Sequence, residues 1–438
     1  MWNAILIQAA IAAAVTGLLL WVSMPVAMRL GWVDRPGGRK DHPVATPTTG
    51  GLAIAAGVAI AALLLTSWSP AFAALLVAAA LLAVVGMVDD AYDVRWYWRI
   101  LAQVAAALIL IYGGDVKVEY VGMIFSSEPL QLGMWAIPFT VLGTVGVINA
   151  INMCDGVDGL AGLLCGTTLA MLAVAALYAG NWPLLQVLVP VTFAIAAFLM
   201  FNMRSPWLPH AKVFLGNSGS AVLGLVIAWA AFRLTQNAAH PVSPVLAPWL
   251  LAPPLIDCLV LAARRMKAGR SPFHADRGHM HHLLLDRGLS PTQVAILLAT
   301  VSCAMGLLAA LVLRTNAGTE THLVVGFTML TLGYFWLTTQ RSKAARERRR
   351  AAAPARATPG VENGWAVASR TGSVLAAGTQ AKAARIVYLD PKLAHGAIEV
   401  RQAVARERQQ AASEVWTPLR EEQGQEVERS TVRAGGRA

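Results

Sequence analysis

Several acidic residues that could take part in chemistry lie at the ends of long apolar segments. Asp89, Asp90 and Asp93 follow an apolar run in V-G-M-V-D-D-A-Y-D. A charged Asp near membrane depth costs at least ~2.5–3.5 kcal/mol, so such residues usually line a cavity or an ion site. Clustered carboxylates favour a divalent cation, because its charge offsets their repulsion. The alternative is a solvated and capped helix end, and Asp93 taken by itself could be explained in that way.

A second polar cluster recurs at intervals of three in N-A-I-N-M-C-D-G-V-D-G. Its members are Asn149, Asn152, Asp155 and Asp158. On a helix this spacing would place all four roughly on one face. Gly156 and Gly159 would interrupt that helix and allow a ligand to approach the backbone. The alternative is a glycine-containing loop with Asx turns.

Two further motifs favour anions. The stretch F-L-G-N-S-G-S contains Asn217 and is expected to open a helix, where free backbone N–H groups attract phosphate. Small residues that serve only packing are the alternative there. The stretch 264–288 is basic and includes His279 and His281, which are two apart and would point different ways on a helix. An anionic ligand therefore suits this stretch better than a metal, although ordinary positive-inside charge explains part of it.

The composition indicates that these motifs belong to a membrane protein. Of 438 residues, 56% are hydrophobic and only 13% are charged, against about 25% charged in soluble domains. We predict an all-α polytopic membrane protein with about eleven transmembrane helices. The predicted spans are 4–28, 50–67, 71–88, 99–113, 134–150, 159–179, 183–201, 213–233, 246–263, 292–313 and 320–338.

The distribution of Lys and Arg predicts the orientation. Alternate loops hold fourteen against three of these residues, which places the N-terminus outside, the C-terminus in the cytoplasm and all the motifs on the cytoplasmic face. We expect a short periplasmic hairpin at 116–133, because V-K-V-E-Y-V alternates. Residues 1–339 would form the membrane domain, and 340–438 a basic, mostly disordered tail with one amphipathic helix near 397–415. Anionic lipid explains the charge of this tail more simply than nucleic acid, for which we expect no role.

Together the clusters supply what phosphoryl transfer needs: carboxylates for a metal and cations for phosphate oxygens. No Walker A, G-x-G-x-x-G, H-E-x-x-H or G-x-S-x-G motif is evident. A transporter would also hold carboxylates, but it would show internal repeats and a midplane site. A non-catalytic scaffold acting through its basic tail remains a further alternative.

These motifs, in this order, resemble those of the polyprenyl-phosphate N-acetylhexosamine-1-phosphate transferases. The resemblance runs from about Asp34 to Gly288 and includes D-R-P-G-G-R-K-D-H and T-P-T-T-G-G before the acidic motifs. The ending H-M-H-H is similar to that of bacterial members that use N-acetylglucosamine and undecaprenyl phosphate to start surface polysaccharides. The peptidoglycan enzyme arranges its histidines differently.

The resemblance implies transfer of N-acetylglucosamine 1-phosphate from UDP-N-acetylglucosamine to undecaprenyl phosphate at the inner membrane, with Mg²⁺ or Mn²⁺ as cofactor. It implies that Asp89, Asp90 and Asn217 hold the metal and that Asp90 deprotonates the lipid phosphate. An older proposal for the family instead makes a carboxylate the nucleophile. Asp155 and Asp158 would be catalytic together with Asp89 and Asp90. Asp155 and Asp158 also belong to a larger set that would bind the substrates or assist the metal. That set is Asn149, Asn152, Asp155, Asp158, Arg265, His279, His281, His282, Lys40 and Arg99.

One residue departs from the pattern of the family. Members usually carry Asp where this chain has Asn217, and an amide oxygen ligates a hard cation without supplying negative charge. We therefore expect weaker metal affinity, and a catalytically impaired paralogue stays an alternative. A sister transferase with another UDP-sugar, and the oligomeric state, with a homodimer included, are also left open by the sequence.

Overall fold

The computed structural model describes residues 1–35, 44–64, 68–237, 242–272, 278–315 and 318–352, together with two short strands further along the chain. The helices are α1 (Trp2–Leu30), α2 (Gly50–Ala62), α3 (Pro70–Tyr92), α4 (Trp96–Gly114), α5 (Ala136–Cys154), α6 (Leu160–Tyr178), α7 (Trp182–Asn202), α8 (Gly216–Thr235), α9 (Leu246–Leu250), α10 (Ala252–Lys267), α11 (Met280–Leu285), α12 (Pro291–Thr315) and α13 (Glu320–Ala352). The strands are β1 (Val33–Asp34), β2 (Thr46–Pro47), β3 (Gly364–Val367) and β4 (Ala384–Val387). β1 pairs antiparallel with β2, and β3 pairs parallel with β4.

The all-α polytopic architecture is confirmed, and each of the eleven predicted spans contains a helix. Among the described residues, nine helices are long and apolar enough to cross a membrane. The two exceptions are predicted spans 50–67 and 246–263. The helix in the first ends at Ala62, and the second is divided into α9 and α10 at Leu251. Pro253 and Pro254 stand at the start of α10, where the missing N–H of proline is tolerated. The predicted orientation stays a prediction.

Helix α8 is the most deeply buried of these nine helices and lies at the centre of the site. Glycines let neighbouring helices approach its backbone closely, as small residues do in membrane proteins. A Cβ on Gly51 of α2 would lie 2.0 Å from the Cα atom of Gly219, and one on Gly86 of α3 would lie 2.3 Å from the Cα atom of Ser218. The carboxyl-terminal end of α3, with its aspartates, is therefore held against the start of α8.

The short hairpin predicted at 116–133 is present. Tyr120 and Gln131 form an antiparallel bridge, and backbone bonds join Val121 to Leu130 on the same pair of segments. Gln236, just after α8, accepts hydrogen bonds from the backbone N–H groups of Glu119 and Tyr120. The hairpin is thus attached to the end of α8 that is distant from the acidic motifs.

Within the predicted tail, α13 continues to Ala352, and β3 and β4 are the other described elements. The predicted amphipathic helix near 397–415 lies outside the described residues. The chain divides into two compact units, Met1–Arg346 and Glu347–Ala438. The proposed boundary at 339/340 and the disorder of the tail stay predictions.

Candidate active site

The carboxylate of Asp90 lies at the amino-terminal end of α8. Its Oδ1 accepts the backbone N–H of Asn217 at 2.9 Å, and its Oδ2 accepts that of Ser218 at 3.5 Å. The first N–H groups of a helix lack partners within the helix and carry partial positive charge, so an anion is stabilised there. Gly216 has φ +77°, and a Cβ there would lie 2.7 Å from Oδ2 of Asp90. The anion bound by this helix start is thus Asp90, where the sequence predicted phosphate.

Asp89 is 3% exposed and forms an ion pair with Arg99 at the start of α4. Nη1 of Arg99 donates to Oδ2 at 3.2 Å, and the backbone N–H of Val94 donates to Oδ1 at 2.9 Å. The chain turns between α3 and α4 at Asp93, which adopts a left-handed conformation at φ 50°. This turn brings Arg99 back onto Asp89.

The predicted asparagines are joined to α4 and α8 by hydrogen bonds. Nδ2 of Asn152 donates to Oδ1 of Asn217 at 3.0 Å and to Oγ of Ser220 at 2.9 Å. Nδ2 of Asn149 donates to Oε1 of Gln103 at 2.6 Å. Gln103 is buried and one helical turn from Arg99, and sequence reasoning missed it because it is a single amide in an apolar run.

A pocket of about 390 Å³ lies between α3, α4, α5 and α8. Its polar lining consists of Asp89, Arg99, Gln103, Asn149, Asn152 and Asn217. Its apolar lining comes from Leu82, Val85, Gly86, Ile148 and Ala221 on the same group of helices. The pocket therefore combines one carboxylate, one cation and several amides with an apolar wall, which suits an amphiphilic phosphate ester.

The second acidic motif is divided between a helix and a loop. Because α5 ends at Cys154, Asp155 and Asp158 do not share a helical face with the two asparagines, so that expectation is wrong. Gly159 has φ +81° and directly precedes α6, which agrees with the predicted interruption. The pKa of Asp155 is raised to about 7, mainly by burial and also by the neighbouring carboxylates of Asp90 and Asp158.

Asp158 takes part in a separate, smaller pocket. Its Oδ2 accepts Nε–H of Arg204 at 2.6 Å, in an ion pair whose carboxylate is 9% exposed. The pocket is about 190 Å³ in volume and is also lined by Thr46, His210 and Phe214. Arg204 is a site residue that sequence reasoning used only for orientation. A pair of opposite charges 46 positions apart has no local sequence signal.

The three predicted histidines cluster beside the Asp155 loop. The rings of His279 and His281 are stacked at 5.3 Å, and those of His281 and His282 lie 4.4 Å apart. The expectation that His279 and His281 diverge is wrong, because His279 has an extended backbone just before α11 begins. Burial lowers the pKa of His281 to about 3, and the adjacent His282 and His279 contribute. A Cβ on Gly156 would lie 3.3 Å from Nε2 of His281.

Arg265 connects this cluster to α10. Its Nη2 donates to Nε2 of His279 at 3.3 Å, and its Nη1 donates to the carbonyl of Pro272 at 2.7 Å. Asp257, which sequence reasoning missed, contacts Nδ1 of the same histidine. Lys40 lies outside the described residues. The other predicted site residues fall into three groups, around the larger pocket, around the smaller pocket and in the histidine cluster.

The oxygen donors near the start of α8 fit a hard divalent cation. Mg²⁺ is usually bound by one or two carboxylates together with water and substrate phosphates. Asp89 and Asn217 line the larger pocket, and Asp90 contacts the backbone of Asn217. Among the described residues no three His, Cys, Asp or Glu side chains form a metal-binding group. Around the start of α8, two carboxylates and one amide thus offer oxygen ligands of the kind that Mg²⁺ prefers.

The fold and the site define a multi-pass α-helical membrane protein with a polar site assembled where several helices end. Residues 72–235 match the sequence model of the family described as glycosyl transferase family 4. The chain is also similar to proteins named undecaprenyl-phosphate alpha-N-acetylglucosaminyl 1-phosphate transferase. It is 30% identical to that of Escherichia coli O157:H7 over 76% of this chain and 90% of the relative. It is 33% identical to that of Haemophilus influenzae over 76% of this chain and 94% of the relative. The chain therefore belongs to glycosyl transferase family 4.

Proposed function

We propose that this protein transfers N-acetylglucosamine 1-phosphate from UDP-N-acetylglucosamine to undecaprenyl phosphate and releases UMP. An oxygen of the lipid phosphate forms a bond to the sugar-linked phosphorus, and the bond from that phosphorus to UMP breaks. One diphosphate replaces another, so the step is close to isoenergetic. The product, undecaprenyl-diphospho-N-acetylglucosamine, would begin O-antigen or a related surface polysaccharide.

The observation that carries this proposal is the larger pocket. Its carboxylate, cation and amides lie beside an apolar wall, which matches the two halves of a lipid phosphate. The relatives act, by their names, on undecaprenyl phosphate. The excess of Lys and Arg in alternate loops supports an inner-membrane protein whose site opens to the cytoplasm.

Asp89, Asp90 and Asn217 would hold Mg²⁺, for which Mn²⁺ could substitute. The ion would neutralise charge on the diphosphate oxygens. Arg99 would meet a phosphate of the substrate, since its guanidinium lines the same pocket as Asp89, the carboxylate with which it pairs. Phe214, His210 and Asp158 surround the smaller pocket, which suits the nucleoside. The histidine cluster and Arg265 would contact the sugar-phosphate end, and Asp155 would assist from the adjoining loop.

A lipid phosphate that enters with a proton on the attacking oxygen must transfer that proton to an acceptor. The family resemblance implies this role for Asp90, and Asp90 also holds the start of α8. Asp89 lines the pocket and is paired with Arg99. We therefore propose that either Asp89 or Asp90 accepts the proton. Variants of the two residues distinguish between them.

The test follows UMP and lipid product with purified Asp89→Asn and Asp90→Asn, and with Asp115→Asn as a matched control at an exposed site. Removal of a general base costs about 10²–10⁴-fold in rate. We expect that loss in kcat for the variant that lacks the proton acceptor, and a wild-type kcat for Asp115→Asn. Full activity in both site variants would contradict the proposal.

A further inference from the structure

Asp257 of α10 is a buried carboxylate outside both pockets and is 3% exposed. Its two oxygens contact three groups, two at the start of α11 and one on α13. Oδ1 accepts the backbone N–H of Met280 at 3.0 Å and the hydroxyl of Tyr334, on α13, at 2.9 Å. Oδ2 lies 3.1 Å from Nδ1 of His279. A carboxylate is costly to bury unless its oxygens have hydrogen-bond partners, and here each oxygen has at least one.

The contacts around His279 define which ring nitrogen carries the proton. A guanidinium only donates, so the bond from Arg265 requires a lone pair on Nε2 of His279. The ring proton is then on Nδ1, where it is donated to Oδ2 of Asp257. Asp257 and Arg265 thus select one tautomer and one ring orientation from opposite sides.

The ring of His279 in turn supports the rest of the cluster. It stacks on His281 with an interplanar angle of 16°. Nε2 of His281 approaches Gly156 so closely that a Cβ there would lie at 3.3 Å. A continuous series of contacts therefore joins Tyr334 on α13 to the loop that carries Asp155.

We propose that Asp257 and Tyr334 are positioning residues that fix the place and orientation of the histidine cluster against the loop that carries Asp155. The inference rests on the proposed function, since it assigns these residues to the same transfer. Asp257 acts through His279, and Tyr334 acts through Asp257.

Asp257→Asn is the informative change because both donors to Oδ1 remain. Met280 N–H and the Tyr334 hydroxyl would keep the amide oxygen on their side. The amide NH₂ would then face Nδ1 of His279, so a donor would replace an acceptor. We expect the ring proton to move to Nε2, where it opposes the donor on Arg265. Tyr334→Phe removes one bond to Oδ1 and leaves Oδ2 in place, so it should preserve the tautomer.

The experiment measures kcat and KM for UDP-N-acetylglucosamine together with ¹⁵N NMR of histidine-labelled protein, in which His279→Gln assigns the resonance. Loss of an orienting partner typically costs about 10–100-fold in activity. We expect that loss for Asp257→Asn and a smaller loss, of a few-fold, for Tyr334→Phe. Asp115→Asn and Tyr112→Phe are exposed controls that should match wild type.

A double variant separates positioning from general support of the fold. If Asp257 acts through His279, Asp257→Asn should add nothing to the loss caused by His279→Gln, because coupled residues are not additive. Additive losses, or a wild-type His279 resonance in Asp257→Asn, would overturn the inference. If Asp257→Asn does not fold, wild-type kcat and KM in Tyr334→Phe would overturn it. If wild type releases no UMP, the proposed function fails, while the NMR comparison still tests the tautomer.

Discussion

Asn217→Asp adds a negative charge at the start of α8, where the family pattern has an acidic residue. The backbone N–H of Asn217 donates to Oδ1 of Asp90, and its side-chain Oδ1 accepts from Asn152. A carboxylate has the same shape and can accept the same hydrogen bond from Asn152. The substitution therefore changes the charge of the pocket without changing its packing.

The magnitude follows from the charges near this position. Two unit charges about 4 Å apart repel by about 1 kcal/mol in water and about 4 kcal/mol at an effective dielectric constant of 20. Without metal, the added carboxylate beside Asp90 should therefore destabilise the protein by about 1–4 kcal/mol. The helix start offsets about 0.3–1 kcal/mol of that cost. A divalent cation is attracted twice as strongly as a unit charge, so Mg²⁺ affinity should rise at least about tenfold.

The assay compares apparent Tm in EDTA and in increasing Mg²⁺, alongside the Mg²⁺ concentration that gives half-maximal UMP release. We expect a lower Tm than wild type in EDTA, a larger rise with Mg²⁺ and a lower half-maximal concentration, because a ligand that binds only the folded state stabilises it. Asn237→Asp, just beyond the other end of the same helix, is the matched control. An unchanged Mg²⁺ response in Asn217→Asp would remove residue 217 from the metal site.

Two further predictions concern the acidic loop and the helix packing. The pKa of Asp155 is raised to about 7, so its carboxylate becomes ionised as the pH rises through 7. We therefore expect kcat/KM to increase over that range, and we expect this increase to be absent in Asp155→Asn. An identical pH profile in the variant would contradict a role for the Asp155 carboxylate. A Cβ on Gly51 would lie 2.0 Å from the backbone of Gly219, so Gly51→Ala should lower the free energy of unfolding by about 1–3 kcal/mol or more. Gly17→Ala, where no atom lies within 4 Å, should leave the apparent Tm near wild type; equal Tm values in the two variants would refute the proposed close packing.

The sequence predicted the helices and the positions of the acidic motifs at helix ends, because both have local signals. Apolar runs mark the spans, and Gly159 marks the end of the polar motif that follows α5. The division at Leu251 was missed because 246–263 is continuously apolar up to Asp257, although its prolines are the signal. Helix α8 begins at Gly216, within the stretch F-L-G-N-S-G-S that was expected to open a helix.

The contacts within the site could not be predicted, because they join distant parts of the chain. Asp257 and Tyr334 lie in apolar stretches of α10 and α13, 77 positions apart, and their contact has no periodicity or motif. Asp90 was expected to face substrate, yet it also holds the start of α8, 127 positions away. Such pairings depend on which helices become neighbours, which the close approach of glycines decides.

The most direct test of the proposed transfer is to incubate purified protein with undecaprenyl phosphate, Mg²⁺ and a panel of UDP-sugars while UMP and lipid product are measured. We predict UMP release with UDP-N-acetylglucosamine, formation of the lipid diphosphate sugar, and loss of both in EDTA. Turnover with a different UDP-sugar alone would identify a sister transferase. No turnover with any sugar, in folded protein that still binds nucleotide, would contradict the proposed reaction.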